Sequence, residues 1–393
     1  MAIVKLAEVC EKIGSGATPR GGKEAYCDEG ISLVRSQNVL DFNFSKEGLA
    51  FINDEQAKKL SNVEVHSGDV LLNITGDSVA RACLMDDDYL PARVNQHVAI
   101  IRGNSHKIMN GYVLYYLQWR KEYLLQLASA GATRNALTKA MIEQLELDLP
   151  PLDSQQQIVA ILDSLQSKIQ LNQKTNDNLY EMVNAYYTSL FKDVECEMTT
   201  IGNYAERIYS GGTPTTSNAA YWGGAFGWFS SGETRNRFVI STEKSITQTG
   251  IDNSSTKLAA KHDIVMASAG QGFTRGQTSM LLIDTYVNQS VIVIHADRKI
   301  LPYLFWNLAN RYEELRAISD SSSIRGSLTT KMIAAFEVPL ANNDVIQAFS
   351  DFAWAVIPQI ENNLLENERL AALRDLLLPK LMSGEIDVSA VQL

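Results

Sequence analysis

A chain of 393 residues, 45% hydrophobic and 20% charged, carries enough apolar mass for two cores rather than one ordinary domain. No apolar run approaches the ~18 residues of a membrane span, and Met1 to Lys12 lacks the charged-then-apolar order of a leader, so the sequence predicts a soluble, cytoplasmic protein with no membrane association. The net charge of −10 argues against a uniformly basic surface, but residues 1–150 sum to −3 and 196–340 to +1, while 151–195 and 341–393 sum to −3 and −5. The acidic excess therefore lies mostly in the two shorter segments, and either larger segment can hold a local basic face.

In chain order, the first long segment mixes short β-rich runs, Val70–Ile74 and Val98–Ile101, with a helical stretch over Tyr112–Leu127. Then comes a 4-3 spaced series, Ile158, Leu162, Leu165, Ile169, Asn172, Asn176, Leu179, Val183, Tyr186 and Leu190, the seam pattern of a coiled coil. The second long segment repeats the first, with strands expected at Ile264–Ala267 and Ser290–Ile294 and a helix over Tyr303–Ile318. It too is followed by a seam: Phe349, Ala353, Val356, Ile360, Asn363, Asn367, Leu370, Arg374, Leu377 and Leu381. Both seams carry two Asn at matching positions, which favours a role in fixing register. Arg374 is a poor seam residue, with Leu373 its expected substitute, and Pro358 is expected to kink or delay the second helix because it removes a backbone donor. A helix of roughly 35 residues would span about 50 Å.

The duplication is visible residue by residue. Residues 6–38 align without gaps on 201–233 at an offset of 195, so that Ser15, Gly16, Thr18 and Pro19 meet Ser210, Gly211, Thr213 and Pro214. Asp69 and Arg81 match Asp263 and Arg275; Val94-Asn95-Gln96 matches Val287-Asn288-Gln289; Arg134 and Leu137 match Arg325 and Leu328. The expected fold class is α+β: two duplicated mixed α/β units separated by two long antiparallel coiled-coil helices with approximate two-fold symmetry, the units at opposite ends.

The chemical motifs fail in turn. Gly16-Ala-Thr-Pro-Arg-Gly21-Gly22-Lys23 resembles a phosphate-binding loop, but Glu24 follows the lysine and Gly211–Asn218 has no lysine. Ala269-Gly270-Gln271-Gly272 matches Thr75-Gly76-Asp77-Ser78, which loses the second glycine, so a turn is expected. The five histidines (His66, His97, His106, His262, His295) fall in no ligand spacing, and the cysteines (Cys10, Cys27, Cys83, Cys196) read as small reduced core residues; no metal site is expected. No nucleophile elbow, nuclease or methyltransferase signature appears.

What the duplicated polar positions do suit is reading base edges, where Arg contacts guanine, Asn or Gln contacts adenine, and Ser or Thr contacts either. The candidates are Arg20, Lys23, Arg35, Ser36, Asn38, Arg81, Asn95, Gln96 and Arg134 in the first copy. In the second they are Thr215, Ser217, Ser230, Glu233, Arg235, Arg237, Arg275, Gln277, Asn288, Gln289 and Arg325. Positions that differ between copies, such as Arg35 against Ser230, suit sequence reading, and those that agree, such as Arg81 and Arg275, suit phosphate contact or fold support. Two other classes compete: a coiled-coil scaffold that joins proteins, suggested by the acidic helices, and a stand-alone enzyme, disfavoured because the two copies share no acid/base set.

The run Ser210-Gly211-Gly212-Thr213-Pro214 with Tyr221-Trp222, its fainter copy Ser15–Pro19 with Tyr26, and Pro151-Leu152 followed by Gln155-Gln156-Gln157-Ile158 resemble the DNA specificity subunit of type I restriction-modification systems. The ending Leu373-Arg374-Asp375-Leu376-Leu377-Leu378-Pro379-Lys380-Leu381-Met382-Ser383-Gly384-Glu385-Ile386 carries the resemblance most specifically, and it extends over essentially the whole chain. It implies a first target recognition domain (1–152), a central spacer helix (153–194), a second target recognition domain (195–340) and a C-terminal spacer helix (341–393). Each domain would read one half of a split, asymmetric site in double-stranded DNA. Catalysis would belong to two methyltransferase subunits using S-adenosylmethionine and two restriction subunits using ATP and Mg; no cofactor is expected in this chain.

Overall fold

A computed structural model describes residues 2–19, 25–129, 135–191, 197–270, 273–321 and 326–389. Its contacts divide the chain into one unit of Met1–Ile169 with Arg369–Leu393 and another of Gln170–Glu368, so the division falls inside both long helices, which the sequence reading treated as segments of their own.

In the first unit Cys10–Ser15, Val98–Gly103, Val70–Asn73 and Ala82–Leu84 lie side by side in an antiparallel sheet. A second sheet orders Ala50–Ile52, Ile31–Val34, Ala92–Val94 and Glu64–Val65, with the central pair parallel. Side chains alternate across a strand, and here both faces are apolar. Val70, Leu72, Ala99 and Ile101 point into a core shared with the helices, whereas Leu71, Val98 and Ile100 point into a second core against the other sheet.

The second unit repeats this. Ala205–Ser210, Val291–Ala296, Ile264–Ala267 and Thr278–Leu281 form the sheet, extended by the short edge strand Phe238–Val239. Lys244–Ile246, Trp222–Phe229, Thr285–Val287 and Lys257–Ala259 form the other sheet, again with a parallel central pair. Ile264, Met266, Ile292 and Ile294 enter the larger core; Val265, Val291 and Val293 enter the smaller. The chain is thus mixed α/β, built twice.

The helices expected over Tyr112–Leu127 and Tyr303–Ile318 are each two: Asn110–Trp119 with Lys121–Ser129, and Leu301–Asn310 with Tyr312–Ser321. Both break at an arginine that caps a corner. The Arg120 guanidinium lies 4.6 Å from the Tyr123 ring centre, and Arg311 lies 4.0 Å over Phe336 while gripping Glu314. Cys10, Cys27 and Cys83 form no disulfide among the described residues; Cys83 is buried, with its thiol pushed up by burial, but Cys27 is exposed rather than in the core, and Cys196 lies outside the described residues.

Leu152–Phe191 and Asn343–Met382 are helices of 40 residues each. The second neither waits for Pro358 nor stops at it. Phe349, Ala353, Ile357 and Ile360 are buried around the proline, and that burial outweighs one missing N–H. Among the described residues no helix is long and apolar enough to cross a membrane.

Within the second unit the two helices run antiparallel and are locked by their asparagines. Asn172 Nδ2 donates to Glu366 Oε2 (2.7 Å) and Asn367 Oδ1 (2.9 Å), and Asn363 Nδ2 donates to Asn176 Oδ1 (2.7 Å). Within the first unit, Arg374 keeps its seam position: it donates to Gln166 Oε1 (2.6 Å) and lies 4.1 Å over the Phe42 ring. The expected substitute, Leu373, is 42% exposed; a guanidinium with an amide and an aromatic face to meet is better placed on the seam than a leucine one position away.

Asn363→Ala should lower unfolding stability by about 1 kcal/mol, because it takes the Asn363 donor from the half-buried Asn176 Oδ1. Replacing Asn176 and Asn363 together by leucine should cost less than the sum of the two alanine variants. Equal urea midpoints for wild type and Asn363→Ala would show that the ladder contributes nothing.

Candidate nucleic-acid interface

In the second unit the Ser-Gly-Gly-Thr-Pro run leaves strand Ala205–Ser210 and turns across the neighbouring strand ends. A Cβ on Gly211 would stand 1.9 Å from the Val287 carbonyl oxygen, so only glycine fits this crossing. The backbone is stitched down by Gly211 N–H donating to Asn288 O (3.3 Å) and Gly212 N–H to Val287 O (3.1 Å). Two tryptophans hold the loop from below: Trp228 Nε1 donates to Gly212 O and Trp222 Nε1 to Thr215 O, both at 3.3 Å. Thr213 Oγ1 then donates to the Gln289 side-chain carbonyl. Thr215 and Ser217 are left exposed on the held loop.

The first unit makes the same clamp. A Cβ on Gly16 would stand 1.6 Å from Val94 O, Gly16 N–H donates to Asn95 O (3.1 Å), and Thr18 Oγ1 donates to the Gln96 side chain. His97, at the place of Ser290, shares hydrogen bonds with Gln96 (2.8 Å) and Thr75 (2.6 Å). Each copy therefore presents one exposed glutamine held by a threonine from the glycine loop, with different neighbours.

Several sequence candidates are spent on building this frame. Asn95 and Asn288 are 8% exposed, and each carboxamide accepts the backbone N–H two residues on, from His97 and Ser290 (both 2.9 Å). Their carboxamide oxygens are engaged in building the turns. Asn38 is fully buried, accepting from Arg35 N–H (3.0 Å) and donating to Ser45 O and Glu47 O (2.9 and 3.1 Å). Its counterpart Glu233 is likewise buried, accepting from Ser230 N–H (2.8 Å), Ser230 Oγ (3.0 Å) and Glu243 N–H (2.9 Å). Arg275 is buried against Asp320 and Gly326 O, so fold support, not phosphate contact, accounts for it. Gln277 is half-buried beside the same turn.

Other candidates stay on the surface. Ser36 and Arg81 line an open groove of about 450 Å³ with Thr75, Asp77, Ser78 and His97. Arg35 lies 6.0 Å over Tyr26 and donates to Gly48 O. Arg235 is half-exposed beside Glu243, while Arg237 stacks on Tyr180 at 4.3 Å and faces Asp177 at 3.5 Å. Arg20, Lys23, Arg134 and Arg325 lie outside the described residues. Lys244, 5.8 Å over Trp222, and Lys257, 5.6 Å over Tyr209, place cations on aromatic rings of the second unit. Sequence reading missed both; the aromatic alternation around Trp222 and Trp228 was the available signal.

His295 with Asp263, 2.6 Å apart, has the outline of a catalytic dyad, and burial holds the Asp263 carboxyl above its usual range against the opposing His295 bond. The first copy puts Arg102 and Asp69 at these positions, joined bidentately at 2.7 Å. An arginine cannot relay a proton, so the shared role is to brace the turn before the central strand. Among the described residues no cluster of three or more metal-ligating side chains occurs.

The profile described as "Type I restriction modification DNA specificity domain" matches residues 1–181 and again 194–367. The type I restriction enzyme HindI specificity subunit of Haemophilus influenzae is 20% identical over 439 aligned residues, spanning 91% of this chain and 94% of that one. The EcoR124I/EcoR124II specificity subunit of Escherichia coli is 25% identical over 251 residues, 61% of each chain. In fold, the crystal structure of the S subunit from M. genitalium superposes with a TM-score of 0.60 at 13% identity, over 97% of this chain and 96% of that one.

Proposed function

Because this chain belongs to the type I restriction-modification DNA specificity family, that of the non-catalytic specificity subunits, we propose that each unit reads one half of a bipartite, asymmetric double-stranded DNA site. The observation that carries this reading is the doubled clamp. Gln96 and Gln289 are exposed, aimed by Thr18 and Thr213 on a fixed backbone, and flanked by residues that differ between copies. A carboxamide so oriented suits the two polar atoms of an adenine edge, and differing neighbours suit two different half-sites. Arg35, Ser36, Arg81, Thr215, Ser217 and Arg235 are the accompanying contacts we assign, with Lys244 and Lys257 for phosphates.

In this reading two methyltransferase subunits dock on the acidic long helices and supply S-adenosylmethionine chemistry, and restriction subunits supply ATP- and Mg-dependent cleavage. The long helices fix the length of the uncontacted spacer between half-sites. A nuclease-protection experiment on the chain assembled with its methyltransferase subunits should show two protected patches separated by an unprotected gap. A fully assembled complex that protects neither patch would instead make this chain a protein scaffold.

A further inference from the structure

The geometry points to Phe273 as a wedge that enters the base stack of the half-site read by the second unit, a proposal that rests on reading that unit as a DNA reader. The Phe273 side chain is 86% exposed. It is displayed on a held backbone: Tyr312 Oη donates to the Phe273 carbonyl (2.6 Å), and Gly276 N–H donates to Ala267 O (2.9 Å). Two residues on, Arg275 is anchored to Gly326 O (2.6 Å) and Asp320. A ring fixed in water in this way costs hydrophobic free energy unless something covers it in use.

The internal repeat sets this position on the groove-lining loop. Ala267 N–H donates to Gln277 O (3.1 Å) as Asn73 N–H does to Arg81 O (2.8 Å), so Phe273 stands where the first unit has the exposed Asp77. One copy displays a carboxylate at this position and the other a phenyl ring. Position supplies the occupant. Ser268 N–H donates to Ser290 O (2.8 Å), so the loop bearing Phe273 departs beside Gln289. In the first unit the equivalent loop residues Thr75, Asp77, Ser78 and Arg81 wall the groove that also holds Ser36 and His97. A protein partner would need on the order of 800 Å² on each side, whereas one ring suffices to pry adjacent base pairs apart and bend the duplex onto the protein.

The test uses the full chain assembled with its methyltransferase subunits and a duplex containing the methylated site mapped in cells. A set of duplexes carries a single phosphorylated nick at each step in turn, which keeps every base but lowers the cost of unstacking. Wild type should bind one nicked duplex several-fold more tightly than the intact one, at a step within a single half-site. Phe273→Ala should bind intact duplex about tenfold more weakly and lose the nick preference, while Phe273→Leu should keep some of both. Because the side chain is exposed, all three proteins should unfold at the same temperature. Unchanged affinity and nick profile in Phe273→Ala would overturn the wedge alone. Weakened assembly of Phe273→Ala with the methyltransferase subunits in the absence of DNA would reassign the ring to a protein contact. Failure of the wild-type complex to prefer its mapped site would overturn the underlying reading as well.

Discussion

Exchanging residues 1–150 for the corresponding segment of a relative with a different target is expected to rewrite one half of the methylated site while the other half and the spacer stay as they were. The clamp in each unit is closed by its own residues, Gly16, Thr18 and Gln96 in one and Gly211, Thr213 and Gln289 in the other, so neither needs the other's loop. Each wrong base pair costs about 1–3 kcal/mol, roughly additively, so three or four altered positions bring the old half-site down to non-specific binding. Mapping methylated adenines in cells carrying the hybrid reads the outcome directly. A change in both halves, or in neither, would mean that recognition is shared across the chain. The graft must respect the contacts it inherits. Tyr115 donates to Asp163 (2.6 Å), Gln155 accepts from Met109 N–H (3.0 Å), and Arg374 covers Phe42. Burial already raises the Asp163 carboxyl above its usual range, so a donor domain without a hydroxyl partner there will cost stability.

A second large effect is expected from one methyl group. Gly16→Ala places a carbon 1.6 Å from the Val94 carbonyl oxygen, a backbone atom of a buried strand that cannot retreat. The loop must lift instead, breaking the Gly16 to Asn95 bond and releasing Gln96 from Thr18. Overpacking of this kind costs about 1–3 kcal/mol in stability. Loss of an oriented contact should lower affinity for the first half-site by a further factor of roughly 10 to 100. Gly14→Ala, two residues earlier, meets nothing within 4 Å and serves as the control. Equal binding by the two variants would show that the clamp does not aim the glutamine.

The fold was legible wherever period and repetition carried it. Val70–Asn73 and Ile264–Ala267 are buried on both faces, so their largely apolar, β-rich runs marked strands, and the duplication tied each to its partner. The paired asparagines announced a register lock because polar residues at a seam have few other uses. Burial and partnership were not legible. Asn38, Asn95, Glu233, Asn288 and Arg275 have the right side chains for base or phosphate contact, and only tertiary structure shows them buried and bonded to backbone groups or to Asp320. The start of the second helix ahead of Pro358 and the seam place of Arg374 escaped for a related reason. Local propensity condemns both, while buried neighbours in one case and Gln166 with Phe42 in the other decide the matter.

The division of the chain also sets an order of events during its synthesis. Leu378, Leu381, Met382 and Val388 belong to the hydrophobic core of the unit that begins at the amino terminus. A ribosome moving along the message therefore completes the stretch up to Glu368, all that the inner unit requires, before it delivers the last pieces of the outer one. The unit that emerges first is the unit that closes last. Throughout elongation it waits with an apolar seat open for the tail, and a message cut short near its end would release a chain with one head finished and the other unsealed.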